Sequence, residues 1–173
     1  MTAPAPATST PTDWRVRALE IADAAAILPI YRAHSTAREP DEIDEPLVRE
    51  MVAHAVSYGV GFVAVDAGGV VGFVLGPRHR VRRVSHVISN VLICVAERAQ
   101  RRGIGRALMH SLMSAAAESA WCERIEFHVR ATNARAIALY ESLGFVVEGR
   151  LVKRIARGAE REDDLIMAWI VPR

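Results

Sequence analysis

The chain has 173 residues, of which 51% are hydrophobic and 24% charged, with 22 basic against 20 acidic side chains and a formal net charge of +2. That length suits one domain of ordinary size, and the near balance of charge excludes a disordered polyelectrolyte and a strongly basic nucleic-acid coat protein. Alanine supplies 28 of the apolar positions and Lys153 is the one lysine, so the cationic surface is built from arginine. Cys94 and Cys122 form neither a disulfide framework nor a CxxC or Cys/His ligand cluster, which points to a reducing compartment and no metal. Met1 to Thr12 lacks the basic and apolar regions of a signal peptide, and no run reaches the roughly 18 apolar residues that cross a membrane. The expectation is a soluble cytoplasmic protein with a disordered leader over residues 1–12 and a single domain over 13–173.

Trp14 to Leu19 alternates apolar and basic residues as a half-buried strand does. Asp23 can cap a helix running to about His34, with a kink or early break at Pro29. Asp44 and Pro46 open a second helix to about Tyr58, with Leu47, Met51, Val52 and Ala55 as its buried stripe. Gly61 to Asp66 and Val70 to Leu75 flank Ala67-Gly68-Gly69 as a hairpin. His86 to Val95 is the most continuously apolar strand, which places it centrally. A long helix follows over Gly103 to Ala120, with Leu108, Leu112, Ala115 and Ala116 on one face. Strand Arg124 to Val129, helix Asn133 to Leu143 closed by Gly144, and strands Phe145 to Ile155 and Glu162 to Val171 complete a mixed α/β sheet with helices on both faces.

The densest chemical signal is Gln100-Arg-Arg-Gly103-Ile104-Gly105-Arg106, between the most buried strand and the longest helix. Glycines there let backbone approach a ligand, and the first helical turn offers unpaired N–H groups at the positive end of the dipole. An anion such as a pyrophosphate fits that point, with Arg101, Arg102 and Arg106 beside it. A P-loop would need GxxxxGK[ST], and no Lys or Ser/Thr follows Gly105. A dinucleotide fingerprint would need Gly or Ala at position 108, which is Leu.

With the second segment, Asn133-Ala-Arg-Ala136-Ile-Ala-Leu139-Tyr140-Glu-Ser-Leu-Gly144-Phe145, the sequence resembles the GNAT superfamily of N-acetyltransferases. The resemblance implies a mostly antiparallel central sheet of about seven strands and acetyl-CoA as co-substrate. It places the pyrophosphate on Gln100, Arg101, Arg102, Gly103, Ile104, Gly105, Arg106 and Ala107, and the pantetheine on the backbones of Ile93, Cys94 and Val95. It also brings Asn133, Ala136 and Tyr140 to the cofactor, with Tyr140 as the acid that protonates the departing thiolate. Asn133 serves equally as a helix cap, and Cys94 reads as a small buried hydrophobe rather than a nucleophile.

Many members of the superfamily carry a Glu on the strand equivalent to residues 86–95, where this chain has none. The base must come from elsewhere: Glu126 first, then His128 on the same strand face, His86 or Asp163. Gly144-Phe145, Glu148-Gly149, Arg157-Gly158, Asp163 and Met167 resemble the tail of members that acetylate small amines, free amino acids or ribosomal-protein and peptide N-termini. The reading is direct acetyl transfer to a primary amine of a small molecule, with an amino acid as one candidate. A protein or peptide N-terminal or lysine acetyltransferase and a non-catalytic acyl-CoA-binding module are the alternatives. No nucleic-acid or membrane partner is expected, and a homodimer is left open.

Overall fold

The computed structural model describes residues 13–34 and 38–172; the expected leader lies outside them. Strand β1 (Trp14–Ala18) leads into α1 (Ala24–His34) and α2 (Glu45–Tyr58), and then come β2 (Val60–Asp66) and β3 (Gly69–Gly76). Short strands β4 (Val87–Ile88) and β5 (Leu92–Val95) precede α3 (Ile104–Glu118), β6 (Arg124–Arg130), α4 (Ala134–Ser142), β7 (Val146–Arg157) and β8 (Glu160–Ile170).

Local chemistry accounts for most of these boundaries. Asp44 accepts from Leu47 N at 2.8 Å to cap α2, and Asn133 accepts from Ala136 N at 3.2 Å to cap α4. Asp23 acts earlier than expected: it closes a capping box with Glu20 over the short turn before α1 and binds both Arg17 nitrogens at 2.7 and 2.8 Å. Helix α1 continues through Pro29. Pro29 and Ala25, whose carbonyl loses its partner, both lie on the exposed face, where water replaces the missing bond. On α2 the buried positions are Val48, Val52 and Ala55, while Leu47 and Met51 are half-covered at its edge.

The expected strand over 86–95 is broken. Asn90 adopts a left-handed backbone (φ 54°), and the chain leaves one sheet and joins another there. The first sheet has the order β1-β2-β3-β5 and the second β4-β6-β8-β7. All pairings are antiparallel except β4 with β6, which is parallel. An antiparallel bridge from Arg78 to Ile88 and a bond from Ser89 N to Pro77 O join the sheets at β4. Counting β4 and β5 as one broken strand recovers the seven sheet positions; eight strands result because Asn90 divides them.

Side chains alternate along β3 after a bulge at Val71, which is skipped between the pairs Ala64–Gly72 and Val65–Val70. Val71 and Val74 pack with Leu108, Leu112 and Ala116 of α3, while Phe73 and Leu75 pack with Ile27, Val48 and Val52 of α1 and α2. Each such large buried aliphatic contributes on the order of 2 kcal/mol. The β6–β8 half adds Ile125, Phe127 and Met167 to the α3 side.

Candidate active site

Below the break at Asn90 no ladder joins β5 to β6. Strand β4 covers only Arg124 and Ile125 of β6, so the two strands diverge and leave a wedge between the sheets. Ala96 N donates to Val71 O at 2.8 Å. Alternation along the antiparallel ladder then assigns Cys94 to the hydrogen-bonded pair with Phe73 and leaves the N–H and C=O of Ile93 and Val95 facing the wedge. Of the three backbones expected to face a ligand, that of Cys94 is turned to β3 instead; its side chain reaches the wedge.

Two cavities fill the opening. The first is a groove of about 410 Å³, lined by Ile93, Cys94 and Val95, by Gln100, Arg101, Gly103, Ile104, Gly105 and Arg106, and by Asn133, Ala136 and Tyr140. These are twelve of the fourteen residues expected to hold a cofactor. Arg102 and Ala107 are the exceptions. Arg102 turns away to Asp13 at 2.5 Å and Asp66 at 3.6 Å. The Ala107 N–H is already bonded to Gly103 O at 3.0 Å, so the N–H groups of Ile104, Gly105 and Arg106 are the ones left without partners among the described residues.

Arg101 and Gly103 both take left-handed backbone (φ 62° and 80°), which turns the chain sharply into α3. A Cβ on Gly103 would meet nothing within 4 Å, and one on Gly105 only Leu139 at 3.7 Å and Val95 at 3.9 Å. No neighbour in the protein requires glycine at 105, yet its bare backbone lines the groove. Arg101, Arg106 and Arg135 line it too, and among the described residues no carboxylate does. This donor set fits a polyphosphate: free N–H groups at a helix start, fixed positive charge and no opposing anion. Arg135, which reaches Gln100 Oε1 at 3.3 Å, was not anticipated, nor were His34, Ala99 and Leu139. Arg135 and Leu139 flank Ala136 and Tyr140 on α4, so the helical period of that motif carried the signal.

The second cavity is a hollow of about 570 Å³. It shares His34, Ile93, Cys94, Asn133, Ala136 and Tyr140 with the groove and extends to Tyr31, Arg38, Glu42, Met51, Asn90 and His128. Tyr140 therefore stands where the cavities meet. Its ring is wedged against Phe127 at 4.6 Å, and Phe127 against Phe145 at 5.0 Å. Burial, and secondarily the neighbouring Cys94, push the phenol up to about 12. Burial pushes the Cys94 thiol to about 12 as well, so Cys94 is no thiolate nucleophile.

Glu126 is not in this assembly. Arg124 donates to it at 2.7 Å and also holds Glu148, and Glu126 opens into an adjoining recess with Arg124 and Glu148 that meets the hollow at Asn90, Phe127 and His128. His128, two residues on, lines the hollow, and its Nδ1 lies 3.0 Å from Asp164 Oδ2. Asp163 is engaged by Lys153 N and Arg150 at 2.7 Å, and neither it nor His86 lines the groove or the hollow. Among the described residues no cluster of His, Cys, Asp or Glu is arranged to hold a metal, and no helix is long and apolar enough to cross a membrane.

This arrangement and the comparisons with known proteins agree. Residues 25–145 match the family model described as Acetyltransferase (GNAT) family. The L-amino acid N-acetyltransferase AaaT of Escherichia coli is 33% identical over 127 residues, covering 73% of this chain and 71% of that protein. An N-alpha-acetyltransferase of Saccharolobus solfataricus is 34% identical over 131 residues, 68% of this chain and 73% of that protein. The crystal structure of a GNAT superfamily phosphinothricin acetyltransferase from Sinorhizobium meliloti in complex with AcCoA superposes with a TM-score of 0.82 at 21% identity, covering 92% of this chain and 89% of that one. The chain belongs to the acetyltransferase (GNAT) family.

Proposed function

We propose that this protein transfers the acetyl group of acetyl-CoA to the α-amine of a small molecule, an amino acid being the simplest case, by direct attack of the neutral amine. The observation that carries the reading is the position of Tyr140, at the junction between a carboxylate-free, arginine-lined groove and a second hollow that bears ionisable side chains. One cavity suits a polyanionic acyl donor and the other an amine acceptor. The names of the relatives support an α-amine: one specifies an amino acid and the other an N-alpha position. A peptide N-terminus presents the same group to the same hollow, which makes it the second reading.

Acetyl-CoA supplies an acyl carbon activated as a thioester. The N–H groups of Ile104, Gly105 and Arg106, with Arg101, Arg106 and Arg135, hold its pyrophosphate. The outward N–H and C=O of Ile93 and the N–H of Val95, whose C=O already accepts from Gln100 Nε2 at 3.3 Å, bond the pantetheine arm as an added strand would, and an N–H among them polarises the carbonyl. Tyr140 gives its proton to the departing sulfur. A phenol near 12 facing a thiolate of ordinary basicity, about 8.5, would be a donor uphill by about 5 kcal/mol. Desolvation disfavours a thiolate as it does a phenolate, so a sulfur leaving into this junction is more basic than one in water and the transfer is less uphill than that.

The experiment is thiol release with acetyl-CoA across a panel of amines, read with acetyl-CoA binding by thermal shift. Binding at a hundredfold excess over Kd raises stability by about 2.7 kcal/mol. Release that depends on an α-amine supports the reading. Binding without release for any amine would leave a non-catalytic acyl-CoA-binding module, and no binding would remove the donor.

A further inference from the structure

The hollow contains a histidine whose orientation is fixed by a buried acid. Asp164 is 4% exposed; its Oδ2 takes His128 Nδ1 at 3.0 Å and Arg154 Nε at 3.2 Å. A carboxylate oxygen accepts, so Nδ1 donates to it, and Nε2 is the ring nitrogen left to act as an acceptor. Nε2 has no hydrogen-bond partner among the described residues, and the ring lines the same hollow as Tyr140 and Cys94. The other charged groups around it are accounted for. On its own strand Glu126 is held by Arg124, and Arg130 faces Glu162 at 3.6 Å. Arg154 reaches in from β7 to the same Asp164 oxygen. Across the hollow stand His34, Arg38 and Glu42.

We infer that His128 is the general base of the reaction and Asp164 the residue that positions it, with an α-ammonium as the class of acceptor the pair serves. The inference rests on the acetyl-transfer reading above. His128 Nε2 takes one proton from the acceptor ammonium. The neutral amine then forms the C–N bond to the acyl carbon as the C–S bond breaks, and the sulfur leaves with the bonding pair and takes the Tyr140 proton. The second amine proton, released as the amide forms, restores the phenol through water, so the net change is one amide, one thiol and one proton passed to solvent by His128. An α-ammonium, at about 7.7 to 8.0, gives up its proton more than two decades more readily than a lysine ammonium at about 10.4. The pair therefore selects α-amines over lysine side chains.

The test uses the full chain with acetyl-CoA and the best amine of the panel. His128→Gln is expected to lower kcat/KM roughly a hundredfold and to abolish the acid limb of its pH profile, with acetyl-CoA affinity unchanged. Asp164→Asn loses less and keeps an acid limb, displaced in pH. His128→Gly recovers activity on addition of imidazole, which a purely structural role would not allow. A His128→Gln enzyme with wild-type turnover and an unchanged acid limb overturns the inference alone, since thiol release by the wild type stands independently. A folded His128→Gly protein that imidazole does not rescue also overturns it. If the wild type binds acetyl-CoA and acetylates no amine, the inference falls together with the reading beneath it. Should either His128 variant fail to fold, as read by circular dichroism, Asp164→Asn decides: an undisplaced acid limb counts against the pair.

Discussion

Tyr140 and Cys94 face the same junction of groove and hollow, and burial raises the phenol and the thiol to the same value of about 12. The pair separates acid catalysis from covalent catalysis. Tyr140→Phe is expected to lower kcat by roughly a hundredfold, the lower range of general acid catalysis, with little change in acetyl-CoA affinity. Cys94→Ala, lacking any nucleophile, is expected to keep acetyl transfer within about threefold of wild type, because direct attack needs no acyl-enzyme. Steady-state kinetics and binding on the two variants check both.

The phenol acts while protonated, and its raised pKa extends the protonated form to higher pH. Loss of activity from Tyr140 ionisation is therefore absent up to about pH 10, as a kcat profile measured on the alkaline side would show. A limb near pH 8 or 9 that vanishes in Tyr140→Phe would contradict the burial argument.

Gly105 distinguishes a ligand cradle from a packing requirement. A methyl there meets protein only at 3.7 and 3.9 Å, so Gly105→Ala should melt within about 2 °C of wild type, a surface-scale change. The same methyl stands among the N–H groups proposed for the pyrophosphate and should weaken acetyl-CoA by roughly tenfold. Calorimetric titration and thermal melts, run together, separate the two effects.

Arginines 102 and 106 are four residues apart and have different tasks. Arg102 is tied to Asp13 and Asp66, whereas Arg106 lines the groove and donates to Ser142 Oγ at 2.8 Å. Arg106→Gln is expected to weaken acetyl-CoA by roughly tenfold, as loss of a charge-assisted phosphate contact does, and Arg102→Gln by less than about twofold. Equal losses would place both at the phosphates.

The link between Asp23 and Arg17 predicts how the fold responds to acid. Burial alone would push the Asp23 carboxyl up, but the Arg17 guanidinium and the Glu20 N–H outweigh it and hold the group below its usual value. Because the folded carboxyl lies below the ordinary figure of about 3.9, its stabilisation is complete above that pH and is lost as pH falls through the folded value. Asp23→Asn should cost about 1–3 kcal/mol at neutral pH, and its melting temperature should fall less steeply than that of wild type below about pH 4.

The legible parts of this protein were those in which one motif fixes both local structure and chemistry. Gln100 to Arg106 contains the turn, the helix start and one wall of the arginine-lined groove within seven residues, and Asn133 to Tyr140 sets one helix face by its period. The break at Asn90 was not legible, because HVISNVLICV has the apolar content of one buried strand and the change of sheet rests on one positive φ. The orientation of Arg102 depended on Asp66, thirty-six residues earlier in the chain. The preference for Glu126 over His128 ranked chemistry within one strand face, whereas the inference for His128 rests on partners: Glu126 is held by Arg124 of its own strand and His128 faces Asp164 of β8. Nor does the sequence around Arg78 show that its side chain stacks on Trp121 at 4.4 Å and donates to Ser85 O at 2.6 Å, which pins the segment that joins the two sheets.

The central claim is that the donor lies in the arginine-lined groove with its sulfur at the junction marked by Tyr140. A crystal structure with acetyl-CoA measures this directly. The predicted result is pyrophosphate on the N–H groups of Ile104, Gly105 and Arg106, and the thioester sulfur within hydrogen-bonding reach of the Tyr140 hydroxyl. Pyrophosphate bound elsewhere, or a sulfur out of reach of Tyr140 with the groove filled, would contradict it.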